Sequence, residues 1–157
     1  MLSQSFRALA GLILSLLIVA IFPMGCGSAA ETKPLSIVGE KAKSEFNVEV
    51  AVSPQERAKG LMFRRAMDDN AGMIFDFGGE QPVSMWMRNT YLSLDMLFIR
   101  ENGEIGHIAT DTTPLSETII PSRIDARFVL ELKGGTSRRL GIQPGDMVSG
   151  PAIDDLR

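Results

Sequence analysis

The sequence predicts a mainly β domain, folded as a compact antiparallel β-sandwich or a partly closed, jelly-roll-like barrel with two short helices. Apolar and polar residues alternate in several short segments, as they do in strands that bury one face. Turn-forming Gly, Pro, Asn and Asp separate these segments. The segments do not alternate regularly with helices, as they would in a parallel α/β fold, so about eight short antiparallel strands are expected.

The composition is that of an ordinary globular domain, with 45% apolar and 22% charged residues in a chain of 157. A chain of this length accommodates a single hydrophobic core. We divide it into an export signal over residues 1–30, a linker over 31–44, the β domain over 45–150 and a C-terminal tail over 151–157. The linker is expected to carry one short strand at residues 35–38.

The first 30 residues have the anatomy of a bacterial export signal. Arg7 supplies the positive charge, residues 8–22 are almost entirely apolar, and the small residues 28–30 predict cleavage before Glu31. Cys26, the single cysteine, is an alternative lipid acceptor, and an uncleaved anchor is a third interpretation. We therefore expect a periplasmic or secreted protein that contacts the membrane only through the signal or through a lipid on Cys26.

The predicted β domain begins with a strand and a helix. Residues 46–52 alternate between apolar and polar or small side chains. Ser53 has the properties of an N-cap, Pro54 occupies the first helical position, and Glu56 completes a capping box. The helix is expected to be short, because Gly60 lies within two turns of its start.

The middle of the domain is predicted to contain two strands and a hairpin. The strands cover residues 73–77 and 83–88, with a break at a pair of glycines between them. Residues 94–100 and 104–109 flank Asn102-Gly103, a dipeptide that supplies the positive φ angles of a tight turn. This is the clearest hairpin signal in the chain.

The last third is predicted to start with a long irregular loop over residues 110–123, which is rich in Thr, Ser and Pro and could form a binding edge. A strand over residues 126–132 follows. Thr136 or Ser137 then caps a single helical turn, and a last strand covers residues 147–148.

The charge distribution argues against a nucleic-acid partner. Of the 16 Lys and Arg, only Arg7 precedes residue 31, whereas all 19 Asp and Glu lie at residue 31 or later. The part from residue 31 onward therefore has a net charge of −4. The basic runs Arg64-Arg65 and Arg138-Arg139 are two residues long. Neither forms the basic patch that nucleic-acid binding requires.

The densest group of unusual side chains lies at residues 85–90. On a strand, Met85 and Met87 would share one face, and Trp86 and Arg88 the other. An exposed Trp beside an Arg is typical of a ligand or partner platform. The alternative is that Trp86 belongs to the core and that the aliphatic part of Arg88 covers it.

Our first hypothesis is accordingly a non-enzymatic envelope domain without a cofactor, which binds a small ligand, a glycan or an envelope protein. The candidate ligand-binding residues are Arg64, Trp86, Arg88, Asn89 and Asp95.

An enzyme is the second hypothesis. Asp95 lies among apolar residues, where an ionised carboxylate needs a partner, and Arg88 is the nearest cation in sequence. A hydrolase or isomerase could use this pair, with His107 as a third group. Asp76 and Glu131 are weaker candidates for such a site. Each alternates with apolar neighbours on a predicted strand, where its carboxylate would also need a partner.

Periplasmic Cu(I) binding is a further alternative. Met85 and Met87 would present two soft thioethers on one strand face, and His107 could add a nitrogen ligand. Methionines at alternate strand positions are, however, most often gap-filling core residues.

Four segments in the same order resemble the DUF192 family, also called UPF0127. They read ERAKGLMFR at 56–64, GMIFDF at 72–77, WMRNT at 86–90 and LDMLF at 94–98. The resemblance extends over roughly residues 46–148 and continues through VLEL at 129–132, Gly135 and Gly145-Asp146. The resemblance implies a compact, jelly-roll-like β fold with short helices, often behind an export signal. It implies no activity and no catalytic residues. Met85 departs from the aromatic or polar residue usual in the family, which weakens the copper hypothesis.

Overall fold

Seven strands and three short helices make up the described structure. The computed structural model describes residues 31–40 and 42–157, so the predicted export signal and Cys26 lie outside it. In this part of the chain no helix is both long and apolar enough to cross a membrane. The strands are β1 (Thr32–Val38), β2 (Lys43–Ala51), β3 (Ala71–Met85), β4 (Leu94–Ile99), β5 (Ile105–Ala109), β6 (Ile120–Lys133) and β7 (Met147–Ser149), and the helices are α1 (Pro54–Lys59), α2 (Thr136–Leu140) and α3 (Pro151–Asp154).

The strands form one sheet in the order β5-β4-β6-β3-β2-β1-β7, which curls into a half-barrel. Its two edges meet at one end, where Glu104 forms a bridge with Met147. Beside this bridge the amide of Val148 donates a hydrogen bond to the carbonyl of Gly103 at 2.8 Å. The prediction of a mainly β, partly closed barrel is confirmed.

One strand pair departs from the predicted antiparallel arrangement. β2 and β3 run parallel, with Val48 opposite Gly72. A parallel pair needs a connection that carries the chain back along the sheet. Helix α1 and the segment after it provide this connection.

Helix α1 forms as its sequence predicts. The hydroxyl of Ser53 accepts a hydrogen bond from the amide of Glu56 at 3.2 Å, and the Glu56 carboxylate accepts one from the amide of Ser53 at 2.8 Å. These two bonds complete the capping box. The helix ends at Gly60, which has a φ of 45°.

The predicted hairpin is also present, as β4 and β5. The amide of Arg100 donates to the carbonyl of Glu104 at 2.9 Å across the turn. Only Gly103 of the Asn102-Gly103 pair has a positive φ, of 94°. The expectation of a positive φ at Asn102 was therefore wrong. Because Arg100 and Glu104 pair, the turn contains the three residues 101–103 and is longer than a two-residue connection.

Both segments predicted to flank the domain belong to the fold. The predicted linker 31–44 contains β1 and the start of β2, and Leu35 and Ile37 are almost completely buried. In the predicted tail 151–157, α3 buries Ala152 and Ile153 against the same core. The short strand expected at residues 35–38 of the linker is the second half of β1, whereas α3 is a third helix that the sequence did not predict.

Two further boundaries differ from the prediction. The glycines 78–79 do not end a strand, because β3 continues to Met85 with an irregular register between Asp76 and Gln81. Residues 86–88 consequently follow the strand instead of belonging to it. The predicted loop 110–123 is irregular up to residue 119, and its last four residues belong to β6.

The sheet buries apolar side chains on both faces. One core cluster contains residues from all seven strands and fills the concave interior of the half-barrel. The other covers the opposite face of β3, β4 and β6 with side chains from the connecting segments, such as Leu61, Met67, Met87 and Leu92. The second cluster is where the candidate site lies.

We predict that Gly103→Ala destabilises the protein more than Gly78→Ala does. Both glycines have a positive φ, of 94° and 81°. A Cβ on Gly103 would lie 2.5 Å from the carbonyl oxygen of Val148, whereas a Cβ on Gly78 would meet nothing within 4 Å. Urea denaturation should show an additional loss of about 2 kcal/mol for Gly103→Ala, the usual scale of an overpacked contact. Equal losses would show that barrel closure does not depend on this contact.

Candidate functional site

A mostly apolar cavity of about 240 Å³ lies between α1, the segment that follows it, and the end of β3. Its apolar walls are formed by Leu61, Met62, Phe75, Phe77, Met85 and Trp86.

Glu131 is one of the residues that line this apolar cavity. Glu131 lies on β6 opposite Met73 of β3 and Met96 of β4, and only 4% of its surface is exposed. Within residues 31–40 and 42–157, no group forms a hydrogen bond with its side chain. Burial raises the pKa of Glu131 to about 8. At neutral pH the carboxyl group is therefore mostly protonated, and its hydroxyl hydrogen is available to an acceptor in the cavity.

Asp76, by contrast, is a buried carboxylate with partners. It lies on β3, one strand away, and accepts hydrogen bonds from the Arg127 guanidinium at 3.2 Å and from the amide of Gly78 at 2.8 Å. The bond to Asp76 is the main reason that the pKa of Arg127 lies above its ordinary value. Asp76 therefore forms a structural ion pair with Arg127.

Two cations stand at the mouth of the cavity, both from α1. Arg57 is held in place: its guanidinium donates to the carbonyl oxygens of Val52 and Asp76, and it lies 5.2 Å from the centre of the Phe77 ring. Lys59, in the last turn of the helix, is exposed and forms no ion pair within the part of the chain that the structure describes.

Comparison with known proteins identifies the family. The model of DUF192, described as "Uncharacterized ACR, COG1430", matches residues 36–150. The chain belongs to the DUF192 family. This confirms the resemblance seen in the sequence, and the function of the DUF192 family is unknown.

Two solved structures share the fold of this DUF192 domain. A protein of Sinorhizobium meliloti 1021, described as a proposed transcription regulator, is 44% identical with a TM-score of 0.77, covering 81% of this chain and 100% of that one. A protein of unknown function from Novosphingobium aromaticivorans DSM 12444 is 37% identical, with a TM-score of 0.76. The match covers 79% of this chain and 89% of that one. No curated protein matches the chain.

The residues predicted to form one binding surface are distributed over several places in the DUF192 domain. Trp86 lines the mouth of the cavity and is 42% exposed, with the Arg88 guanidinium stacked 4.8 Å from its ring centre. Arg64 lies outside the cavity and binds the Glu49 carboxylate through two bonds of 2.5 and 2.7 Å. Asn89, with a φ of 58°, contributes its carbonyl to a contact between loops.

The predicted pairing of Asp95 with Arg88 was wrong. Asp95 is completely buried, and its carboxylate accepts hydrogen bonds from three backbone amides, those of Asp111 at 2.8 Å, Gly135 at 3.0 Å and Ser137 at 2.7 Å. These amides satisfy the charge that seemed to require an arginine. Asp95 ties two distant segments to β4, and the enzyme hypothesis built on its pairing with Arg88 loses its basis.

The structure does not provide the copper site that Met85, Met87 and His107 suggested. Met87 follows the end of β3, is completely buried, and its sulfur accepts a hydrogen bond from the Thr112 hydroxyl at 3.2 Å. His107 stacks on Phe98 with 5.7 Å between ring centres, and burial lowers its pKa. Of the three residues, Met85 lines the cavity. Within the described residues, no group of three or more His, Cys, Asp and Glu could hold a metal ion.

Sequence reasoning undervalued Glu131 and did not single out Lys59. The signal for Glu131 was its place between Leu130 and Leu132, in a segment whose other residues are nearly all apolar. The same signal marked Asp76 and Asp95. Only the contacts of the folded chain distinguish the carboxyl group without a partner from the two that have partners.

We predict that Asp95→Ala lowers the free energy of unfolding by about 3 kcal/mol or more. The substitution leaves three amides without their acceptor in a buried site. Asp68→Ala is the control, because Asp68 is exposed, and it should change stability by less than about 0.5 kcal/mol. Urea denaturation of the two variants makes the comparison, and equal midpoints would contradict the structural role of Asp95.

A second prediction concerns pH. The pKa of Glu131 is about 8 in the folded protein and near 4.5 in an unfolded chain, so the unfolded chain loses this proton first as pH rises. The free energy of unfolding should therefore fall between pH 4.5 and 8. Glu131→Gln should remove this fall and stabilise the protein at pH 7 by about 3 kcal/mol.

Thermal or urea denaturation across this pH range provides the measurement. Glu117→Gln is the matched control, because Glu117 is exposed, and its pH profile should follow that of the wild type. The interpretation fails if the Glu131→Gln and Glu117→Gln profiles run parallel.

Proposed function

We propose that this DUF192 domain is an exported, non-enzymatic binding module that holds a small, largely apolar ligand in the cavity beside Glu131. The observation that carries the proposal is Glu131 itself, which is 4% exposed, forms no side-chain hydrogen bond within the described residues and is among the residues that line an apolar cavity.

The energetics of Glu131 favour a ligand with an acceptor oxygen. A buried polar group without a partner costs about 1–3 kcal/mol. A carbonyl, ester or ether oxygen placed in the cavity would accept the hydrogen bond of the protonated carboxyl group and remove this cost. The apolar part of the ligand would then contact Phe75, Phe77 and Met85.

Binding is favoured over catalysis because Glu131 has no companion group. A general acid–base site brings a second polar side chain within hydrogen-bond distance of the first. Ser84 and Thr90 also line the cavity, but no side chain of the described residues forms a hydrogen bond with Glu131. A raised pKa alone also occurs at purely structural positions.

Location outside the cytoplasm is part of the proposal and is supported by the sequence. Arg7, the apolar residues 8–22 and the small residues 28–30 form the expected signal. A role in DNA binding, which the description of the Sinorhizobium protein as a transcription regulator would suggest, is disfavoured because this chain carries an excess of negative charge from residue 31 onward.

The test uses Trp86, the single tryptophan of the chain, as a fluorescent reporter at the cavity mouth. Titration with 2-heptanone, a small apolar ketone, should change its emission saturably. Ala58→Phe should abolish the change by filling the mouth, whereas Ala66→Phe, also at an exposed alanine but outside the cavity, should preserve it. Glu131→Leu should weaken binding about fivefold, which corresponds to one lost hydrogen bond of about 1 kcal/mol.

Two outcomes would contradict the proposal. One is a wild-type emission that does not respond to the ketone. The other is an unchanged affinity in Ala58→Phe, which would place the ketone elsewhere on the protein.

A further inference from the structure

We infer that the cavity selects organic monoanions: apolar carboxylic acids that place the carboxylate at the mouth beside Lys59 and an acceptor oxygen near Glu131. This inference rests on the proposed function and specifies the ligand class of the same site.

The charges around the cavity carry the inference. Three ionisable side chains line it: Arg57, Lys59 and Glu131. Glu131 is the one acidic member, and its burial among apolar side chains keeps it protonated at neutral pH. The two cations of α1 therefore face the cavity mouth without a negative charge among the lining residues.

The nearest acidic side chains in sequence are already engaged. The Glu56 carboxylate accepts hydrogen bonds from the amides of Val52 and Ser53 at the start of α1. The Asp76 carboxylate binds Arg127 and the amide of Gly78. Lys59 also borders a neighbouring pocket that is lined by Glu31, Glu49 and Glu56, and of these Glu49 binds Arg64. Lys59 forms an ion pair with none of them in the described part of the chain, so a carboxylate from outside the protein can pair with it.

The two cations have different roles in this arrangement. Arg57 is fixed by its bonds to two carbonyl oxygens and by the Phe77 ring, so it contributes a stationary positive field. Lys59 is exposed at the end of α1, and its flexible side chain can follow a carboxylate at the mouth. A cationic ligand would meet repulsion from both, and low-dielectric walls increase that discrimination.

The distribution of polarity fixes the orientation of the ligand. The cations belong to the rim, whereas buried Leu61 and Phe75 belong to the apolar walls. An ionised carboxylate among those walls would lose its hydration without compensation, so it must remain at the rim. The chain of the acid then enters the cavity and brings its second oxygen to Glu131.

The experiment compares 6-oxoheptanoate with its uncharged methyl ester, using Trp86 emission at low salt. The acid should bind about two- to fivefold more tightly than the ester, the range that an exposed ion pair provides. Added salt should reduce this advantage. Lys59→Gln should remove it while leaving the affinity for the ester unchanged.

Lys43→Gln is the matched control, because Lys43 is also exposed but pairs with Glu45 away from the cavity, and it should behave as the wild type. If the ester binds as tightly as the acid, or if Lys59→Gln and Lys43→Gln behave alike, the anion inference is overturned and the binding function stands. If neither compound binds, the proposed function itself is wrong.

Discussion

Burial of both faces of the central strands is the constraint on which the rest of this structure depends. All six residues of β4 are buried, as are residues 126–132 of β6. The concave face meets this requirement by curling until the edge strands touch at Glu104 and Met147. The opposite face cannot close on itself and is covered by side chains from the connecting segments, such as Leu61 and Met87. The cavity lies in this covering layer, where helix, loop and sheet meet along irregular surfaces.

The same constraint explains why the carboxyl groups of three strand residues differ in their hydrogen-bond partners. A carboxylate on a strand buried on both faces needs donors from outside its strand. Asp95 obtains three backbone amides, and Asp76 obtains an arginine and an amide. Glu131 faces the covering layer at the point where that layer is incomplete, so desolvation acts on it without compensation. A ligand with an acceptor oxygen beside Glu131 would offset the cost of its burial.

The covering layer is held by loops in unusual conformations. Phe63, Asn89 and Leu115 all have positive φ angles, which are uncommon for residues other than glycine. The amide of Phe63 donates to the carbonyl of Asn89 at 2.8 Å, and the amide of Leu115 donates to the carbonyl of Thr90 at 3.0 Å. These backbone hydrogen bonds between the segments hold the loops in their conformations. Trp86 lies in the segment that these bonds hold, at the cavity mouth.

The sequence by itself determined the local elements of this protein. The capping box at Ser53, the turn glycine at residue 103 and the alternation along β2 each depend on neighbours within a few residues, so their chemistry is readable from the chain. The motifs around residues 56–98 also determined the family. The tertiary structure alone decided the parallel pairing of β2 with β3, the inclusion of β1 and α3 in the core, and the contrasting surroundings of Asp95 and Glu131. These features arise from contacts between segments far apart in the chain, and desolvation or hydrogen bonding at a buried group depends on where those segments come to lie.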